Sequence, residues 1–308
     1  MPTATAVSAS SRAPNRALLG ILCMLLASSL LPIMNGLVQI LSTRYSTEQV
    51  LWARAASNLV FILALFAPRH GVGLARSAMP GWQLLRSGVH LASMLCFFTG
   101  VKYLPLAKAA SISFTTPFIV ALLAWPLLGE RMTTARVAAV GVAFVGVLVV
   151  IRPGTEVFQW SALILLGSAF FYAVYQILTR RVAHADRPET SALYSPLMAT
   201  AAKTIVLPFA WLPVASWSDA ALLGSLGVLG GTAHYFVARA MTYAQANIIS
   251  PFGYWQLVAS VIVGYLISGY LPDALTWVGA GIIVCAGVSI AWSSRASGPA
   301  SPTPGSKQ

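Results

Sequence analysis

Residues 103–154 read YLPLAKAASISFTTPFIVALLAWPLLGERMTTARVAAVGVAFVGVLVVIRPG. Two apolar runs, roughly 109–128 and 134–151, flank a short polar turn that carries Glu130 and Arg131. A helix that crosses the hydrocarbon core of a bilayer needs about 20 mostly apolar residues. A barrel strand needs about ten and alternates with period two. These runs are too long for strands and do not alternate, so the stretch is a pair of spanning helices joined by a tight turn.

The same reading extends along the chain. Ten segments qualify as spans: 17–41, 49–67, 85–103, 109–128, 134–151, 160–178, 191–213, 220–241, 248–268 and 274–292. The links between them hold Pro, Gly and charge, as in Pro68-Arg69-His70-Gly71, Arg152-Pro153-Gly154 and Leu271-Pro272-Asp273. The expected fold is therefore an all-α membrane protein of ten transmembrane helices. The ends, 1–16 and 293–308, are rich in Ser, Ala, Pro, Gly and Thr and are expected to be disordered tails.

Composition agrees. The 308 residues are 57% apolar and 8% charged, with mean hydropathy +0.77. A soluble domain carries about a quarter of its residues charged. Lipid is the solvent that such a chain fits. The net charge of +12 does not point to nucleic acid, because the bases sit singly between apolar runs. Their distribution reports orientation instead. With the N-terminus inside, thirteen of the 19 Lys and Arg fall on the cytoplasmic side, against four (Arg44, Lys102, Lys108, Arg152) outside. Arg54 and Lys203 are left within spans. Both termini are expected in the cytoplasm of a bacterial inner-membrane protein. The first apolar run is longer than a signal-peptide core and reads as an uncleaved span. Cys23, Cys96 and Cys285 lie singly in apolar runs and read as small buried residues, with no disulfide or metal spacing.

The chain resembles itself at an offset of 140 residues. Tyr103 falls on Tyr243, Gly129 on Gly269, Gly141 on Gly281 and Asn35 on Tyr175. Five spans per half is an odd number, so the two halves, 17–151 and 160–292, must cross in opposite senses. Two inverted five-helix repeats are a transporter design, with the substrate near the midplane where the repeats meet.

Three stretches carry a resemblance to a known family: YLPLAKAASISFTTPFIVALLAWPLLGER (103–131), GVAFVGVLVVIRPG (141–154) and SPFGYWQLVASVIVGYLI (250–267). With these the chain resembles the EamA-type, ten-helix members of the drug/metabolite transporter superfamily over about residues 17–292. Arg54 stands where such proteins commonly have an arginine. Gly269-Tyr270 departs from the Gly-Glu that the resemblance leads one to expect in the second hairpin, as at Gly129-Glu130. The resemblance implies transport. It leaves the cargo open among amino acids, vitamins, nucleotides and drugs.

Ionisable groups inside spans are expensive and default to function. Arg54 reads as an anion-binding or gating cation, or as a cation reaching the interface. Lys203 reads as lining a polar cavity, or as an amine bonded to neighbouring carbonyls. His90 and His234 either face a site or hydrogen-bond between helices. All seven carboxylates fall in loops or at helix ends, so coupling through an intramembrane acid is not expected. Two buried cations without a buried anion favour an acceptor-rich substrate. Helix breakers at matched positions point to a binding site: Thr116-Pro117 in span 4 and Pro251 in span 9, followed by Tyr254, Trp255 and Gln256. Gly253, Gln256, Ser260 and Gly264 share one face. Gly227 and Gly231 read as a packing GxxxG. Tyr172, Tyr175, Tyr235, Tyr254 and Trp255 either line a ring-binding cavity or pack as ordinary membrane aromatics. Trp52, Trp82 and Trp160 read as interfacial anchors. Asn35 and Asn58 either bind substrate or join helices.

No motif of an intramembrane enzyme and no channel filter is present in the sequence. The expectation is a cofactor-free, metal-free monomer or homodimer that moves a small polar metabolite through the bilayer. Efflux of amino acids or related compounds is the first reading. Uptake of a vitamin or nucleoside-like compound such as riboflavin or S-adenosylmethionine is the second.

Overall fold

The computed structural model describes residues 12–128, 134–153, 159–183, 185–243 and 252–296. Among them are eleven α-helices and no strand. In chain order these are α1 (Arg12–Leu41), α2 (Thr47–His70), α3 (Pro80–Val101), α4 (Leu106–Ser113), α5 (Thr116–Leu128), α6 (Thr134–Ile151), α7 (Ser161–Val182), α8 (Pro188–Ala210), α9 (Trp217–Tyr243), α10 (Trp255–Ser268) and α11 (Ala274–Ala296). Six helical stretches are long and apolar enough to cross a membrane, and three shorter ones are apolar. α8 falls in neither group, because its first turn is polar and Lys203 interrupts it.

Helix ends follow the local chemistry. Ser46 caps α2 by accepting from the Gln49 amide at 3.2 Å, with Glu48 in the positive first turn. Pro80 and Pro188 open α3 and α8, where the missing N–H costs nothing. Gly269 ends α10 in the left-handed conformation (φ 65°) and donates to Tyr265 O at 2.8 Å. Several expected boundaries move. α1 already begins at Arg12, inside the expected tail, and α3 begins at Pro80 rather than 85. The fourth expected span is two helices, broken at Phe114-Thr115 by the crowding of Pro117 on the preceding turn. The hairpin at 129–131, Pro251 and most of both tails lie outside the described residues.

The packing displays the repeat. Under the 140-residue offset α1 corresponds to α7 and α3 to α9. The pair α1/α9 is thus the counterpart of α3/α7, and both pairs pack closely. α2 packs on its own counterpart α8, and α6 on its counterpart α11. These self-paired helices run antiparallel. A Cβ on Gly279 would meet Val150 Cγ2 at 2.6 Å and Gly146 O at 2.7 Å, while one on Gly146 would meet Ile283 Cγ1 at 2.9 Å. The contact therefore climbs one helix as it descends the other. Likewise Ser46 at the start of α2 donates to Ala210 O at the end of α8, at 2.6 Å. Breaks recur at the same offset: the turn at Phe114 has its counterpart at Tyr254. These two rings pack against each other at a tilt of 35° with centroids 5.1 Å apart, so the pseudo-two-fold axis passes between them. Gly227 and Gly231 let α9 close on Ser57, Asn58 and Phe61 of α2, which is the packing role read from the sequence. Cys23 and Cys96 are half-buried, but Cys285 is exposed on α11, contrary to its reading as buried.

Several charges expected to stand alone are paired or buried. Lys203 is 6% exposed and bonds Glu48, from α8 to the first turn of α2. Its reading as a cavity cation is corrected: a helix-end carboxylate reaches it. Arg86, one of the thirteen bases counted on the cytoplasmic side, and Lys108, counted outside, are 3% and 6% exposed within α3 and α4. Arg152 ends α6 and holds both oxygens of Asp273 at 2.6 Å, stapling it to the start of α11. Asp273 also accepts from the Thr276 amide at 2.8 Å.

Two stability predictions follow from these pairs. Lys203→Met strands the Glu48 carboxylate and should cost about 2 kcal/mol, below the 3–5 typical of fully buried pairs because Glu48 stays partly exposed. Adding Glu48→Gln should restore most of the loss in thermal unfolding. The hydrogen bonds from Thr276 and Arg152 hold the Asp273 carboxyl down at about 2, against an ordinary 3.8. A depressed folded-state value means stability that is full above pH 3.8 and lost as pH falls toward 2. Asp273→Asn should flatten that acid limb of the Tm profile.

Candidate functional site

A cavity of about 310 Å³ lies on the pseudo-two-fold axis, at the level of the two breaks. Its wall takes Leu31, Met34 and Asn35 from α1, Arg54 from α2, and His90, Ser93, Met94, Phe97 and Phe98 from α3. Ser113, Phe114, Thr116 and Pro117 come from the α4–α5 break. Ser168, Ala169, Tyr172 and Gln176 come from α7, His234 from α9 and Gln256 from α10. Two counterpart pairs, Thr116/Gln256 and Met94/His234, line it together. The volume falls at the low end of small-molecule sites.

Eight of the residues singled out from the sequence meet in this wall: Asn35, Arg54, His90, Thr116, Pro117, Tyr172, His234 and Gln256. Tyr175 does not reach the cavity. It lies behind the wall, stacked on His90 (4.4 Å between centroids, 26° between planes) and on Tyr172 (5.5 Å, 26°). Tyr254 backs Phe114, its hydroxyl against Gly287, where any side chain would collide with it. Trp255 points outward, 40% exposed, and donates to Ser29 Oγ at 2.9 Å. Lys203 is held by Glu48 away from the cavity. Pro251 lies outside the described residues.

Helical spacing recovers what the sequence reading missed. Ser93, Met94, Phe97 and Phe98 continue the His90 face of α3, and Ser168, Ala169 and Gln176 continue the Tyr172 face of α7. The two faces meet at Ser93 and Ser168. Each hydroxyl donates to the other residue's carbonyl, at 3.0 and 2.9 Å, so neither burial leaves an orphan.

The chemistry of the wall is uneven. The Arg54 guanidinium touches only soft partners. Nε donates to Met34 Sδ at 3.3 Å, Nη1 to Met94 Sδ at 2.5 Å, and the cation lies 5.4 Å from the Phe98 centroid. A thioether is a weak acceptor, and no described carboxylate pairs with Arg54. The side chains of Asn35, His90, Gln176, His234 and Gln256 make no hydrogen bond to any described residue, and none is sealed from the cavity. Flat faces come from His90, Tyr172, Phe97, Phe98 and Phe114. The arrangement can hold a planar ring, satisfy several acceptors and neutralise a negative group. No described group of His, Cys, Asp or Glu could hold a metal.

The comparisons with known proteins agree with this geometry. The model of the EamA-like transporter family matches residues 18–152 and again 159–292. The chain is 28% identical to the riboflavin transporter of Rhizobium johnstonii, over 90% of this chain and 92% of that one. It is 27% identical to the pseudopaline exporter of Pseudomonas aeruginosa, over 88% and 95%. It is also 27% identical to the S-adenosylmethionine uptake transporter of Rickettsia felis, over 83% and 86%. One protein chain of known crystal structure superposes with a TM-score of 0.58 at 20% identity, covering 92% of this chain and all of that one, which speaks for the fold alone. With two matches of its model spanning nearly the whole sequence, the chain is a multi-pass bacterial membrane protein that belongs to the EamA-like transporter family.

Proposed function

We propose that this protein is a secondary transporter with ten crossings, both termini in the cytoplasm, that carries a flat, acceptor-rich metabolite of no net positive charge by alternating access. The observation that carries the reading is the convergence of partnerless polar side chains and one uncompensated arginine on the axis between the repeats. Each of these groups forgoes hydrogen bonds in a largely apolar surrounding, a cost that a substrate can offset. The aromatic faces suit a ring system, and a riboflavin-like compound combines such a ring with many acceptors. S-adenosylmethionine suits the cavity less well, since its cationic centre would lie near Arg54 with no carboxylate in the wall.

A second reading is efflux of amino acids or related carboxylated metabolites, supported by Arg54, whose fork matches a carboxylate in two-point contact. The ammonium of a zwitterion would find only neutral acceptors and ring faces there, and this places the reading second. Every described carboxylate lies at a helix end or in a link, so movement by facilitated diffusion or exchange fits better than coupling to an intramembrane acid.

Reconstituted protein in liposomes decides between these. Riboflavin should move saturably in both directions along its gradient, without chemical change, and outcompete amino acids. Arg54→Gln should raise KM about 10- to 100-fold, the loss expected for a charge-assisted hydrogen bond. Flux no greater than through protein-free liposomes, or unaltered kinetics in Arg54→Gln, would sink the proposal.

A further inference from the structure

Arg86 is the most thoroughly bonded cation in the described structure, and nothing in the cavity touches it. It sits on α3, one turn before His90, and is 3% exposed. Nε donates to Thr179 Oγ1 at 2.7 Å, and Nη2 donates to the Tyr175 hydroxyl at 2.8 Å. Nη1 reaches Ser191 O at 3.0 Å, Ser195 Oγ at 3.4 Å and Gln83 Oε1 at 3.2 Å. No carboxylate contacts it. Gln83 turns its other end to Asp186, with Nε2 donating to Oδ2 at 2.7 Å. The amide dipole thus lies head to tail between guanidinium and carboxylate, an ion pair stretched through one side chain. Asp186 is fixed in turn by Ser77 Oγ at 2.5 Å and the Ala78 amide at 2.7 Å.

The guanidinium also lies 4.6 Å from the Tyr175 centroid. Tyr175 stacks on both His90 and Tyr172, the two rings that face the cavity. A tyrosine ring with a free hydroxyl could turn about χ1 and take both neighbours with it. Bonded at its hydroxyl and covered by a planar cation, it has one position. We propose that Arg86 is a positioning residue for substrate: it acts through Tyr175 to fix the His90–Tyr172 wall against which a ring is bound. Lysine cannot replace it, because a point charge with no planar fork cannot hold Thr179, Tyr175 and the α8 groups together while covering the ring.

The inference rests on the cavity being the binding site, so its test carries a readout that needs no substrate. In a chain with Cys23, Cys96 and Cys285 replaced by alanine, Gln176→Cys reports the cavity wall through its rate of labelling by a small maleimide. Arg86→Lys should raise that rate several-fold. In liposomes Arg86→Lys should raise KM about tenfold while Vmax per folded molecule stays within about twofold, the signature of lost positioning. Tyr175→Phe, which keeps the stack and loses only the hydroxyl, should move both readouts the same way by less. The double variant should be no worse than Arg86→Lys alone, since both act through one contact. An unchanged KM in both single variants, strictly additive effects, or a loss confined to Vmax and folded yield would overturn the proposal. If the parent chain moves no substrate, the transport reading fails by itself, and equal labelling rates with and without Arg86→Lys then overturn the positioning role.

Discussion

Lipid offers no hydrogen bonds, so irregular backbone at membrane depth survives only where protein or a polar cavity surrounds it. That constraint organises this molecule. Within the apolar helices the ladder is interrupted at Phe114-Thr115 and, one repeat later, at Tyr254. Both interruptions fall on the pseudo-two-fold axis, where the two tilted rings touch and the cavity opens beside them. Ser111, Ser113 and Thr115 satisfy themselves on carbonyls three or four residues back, at 2.7–2.9 Å, so the broken strand of helix carries its own polar partners. A break anywhere on the lipid-facing surface would have no such relief. The cavity opens where the fold can tolerate one.

The same scarcity of polar partners governs the charges. Five described carboxylates have to serve a larger number of cations, and their placement is selective. Asp219 takes Arg44 and the Tyr45 hydroxyl, Asp273 takes Arg152, and Glu48 takes Lys203. Asp186 reaches Arg86 through Gln83, and Glu189 sits in the positive first turn of α8. Arg54 alone among the cavity-lining residues is a cation, and it is given two sulfurs and a ring. A stronger partner would lower its energy and compete with any other acceptor. Weak partners leave the charge in place and available. The two joints tied by Asp219 and Asp186 are also counterparts. One carboxylate opens α9 and takes groups from the α1–α2 link, and the other lies in the α7–α8 link and caps the approach to α3.

How much of this the sequence disclosed depends on the range of the interaction. Hydropathy placed the helices, because an apolar run long enough to span is a local property. The breaks at Thr116-Pro117 and near Tyr254 were visible because proline and glycine act on their own turn. Arg54, His90 and His234 were visible as costs that need a reason. Lys203 was misread for a plain reason: its neutraliser, Glu48, is 155 positions away and looked like a helix-end residue. Arg86 was counted as a base at the cytoplasmic end of its span, whereas α3 begins five residues before that apolar run and buries it. A polar first turn, opened by Pro80 and bonded to Asp186, can be buried against other helices without being apolar. Pairing across helices has no local signature.

A cavity on a two-fold axis would, if the repeats were identical, accept a ligand in two opposite orientations. This one is not identical where it matters. Thr116 has Gln256 as its counterpart in the wall, Met94 has His234, and Arg54 has no cationic counterpart, its equivalent position being Tyr194 outside the wall. Asn35 lines the cavity, while its equivalent, Tyr175, has been drawn back to serve the aromatic wall under Arg86. The backbone symmetry places the cavity between the two repeats. The side-chain asymmetry then sets one cation in the wall with no cation at its counterpart position, so one orientation of an asymmetric ligand is favoured over its reverse. Divergence of the repeats at these few positions is therefore what makes an otherwise symmetric gap asymmetric.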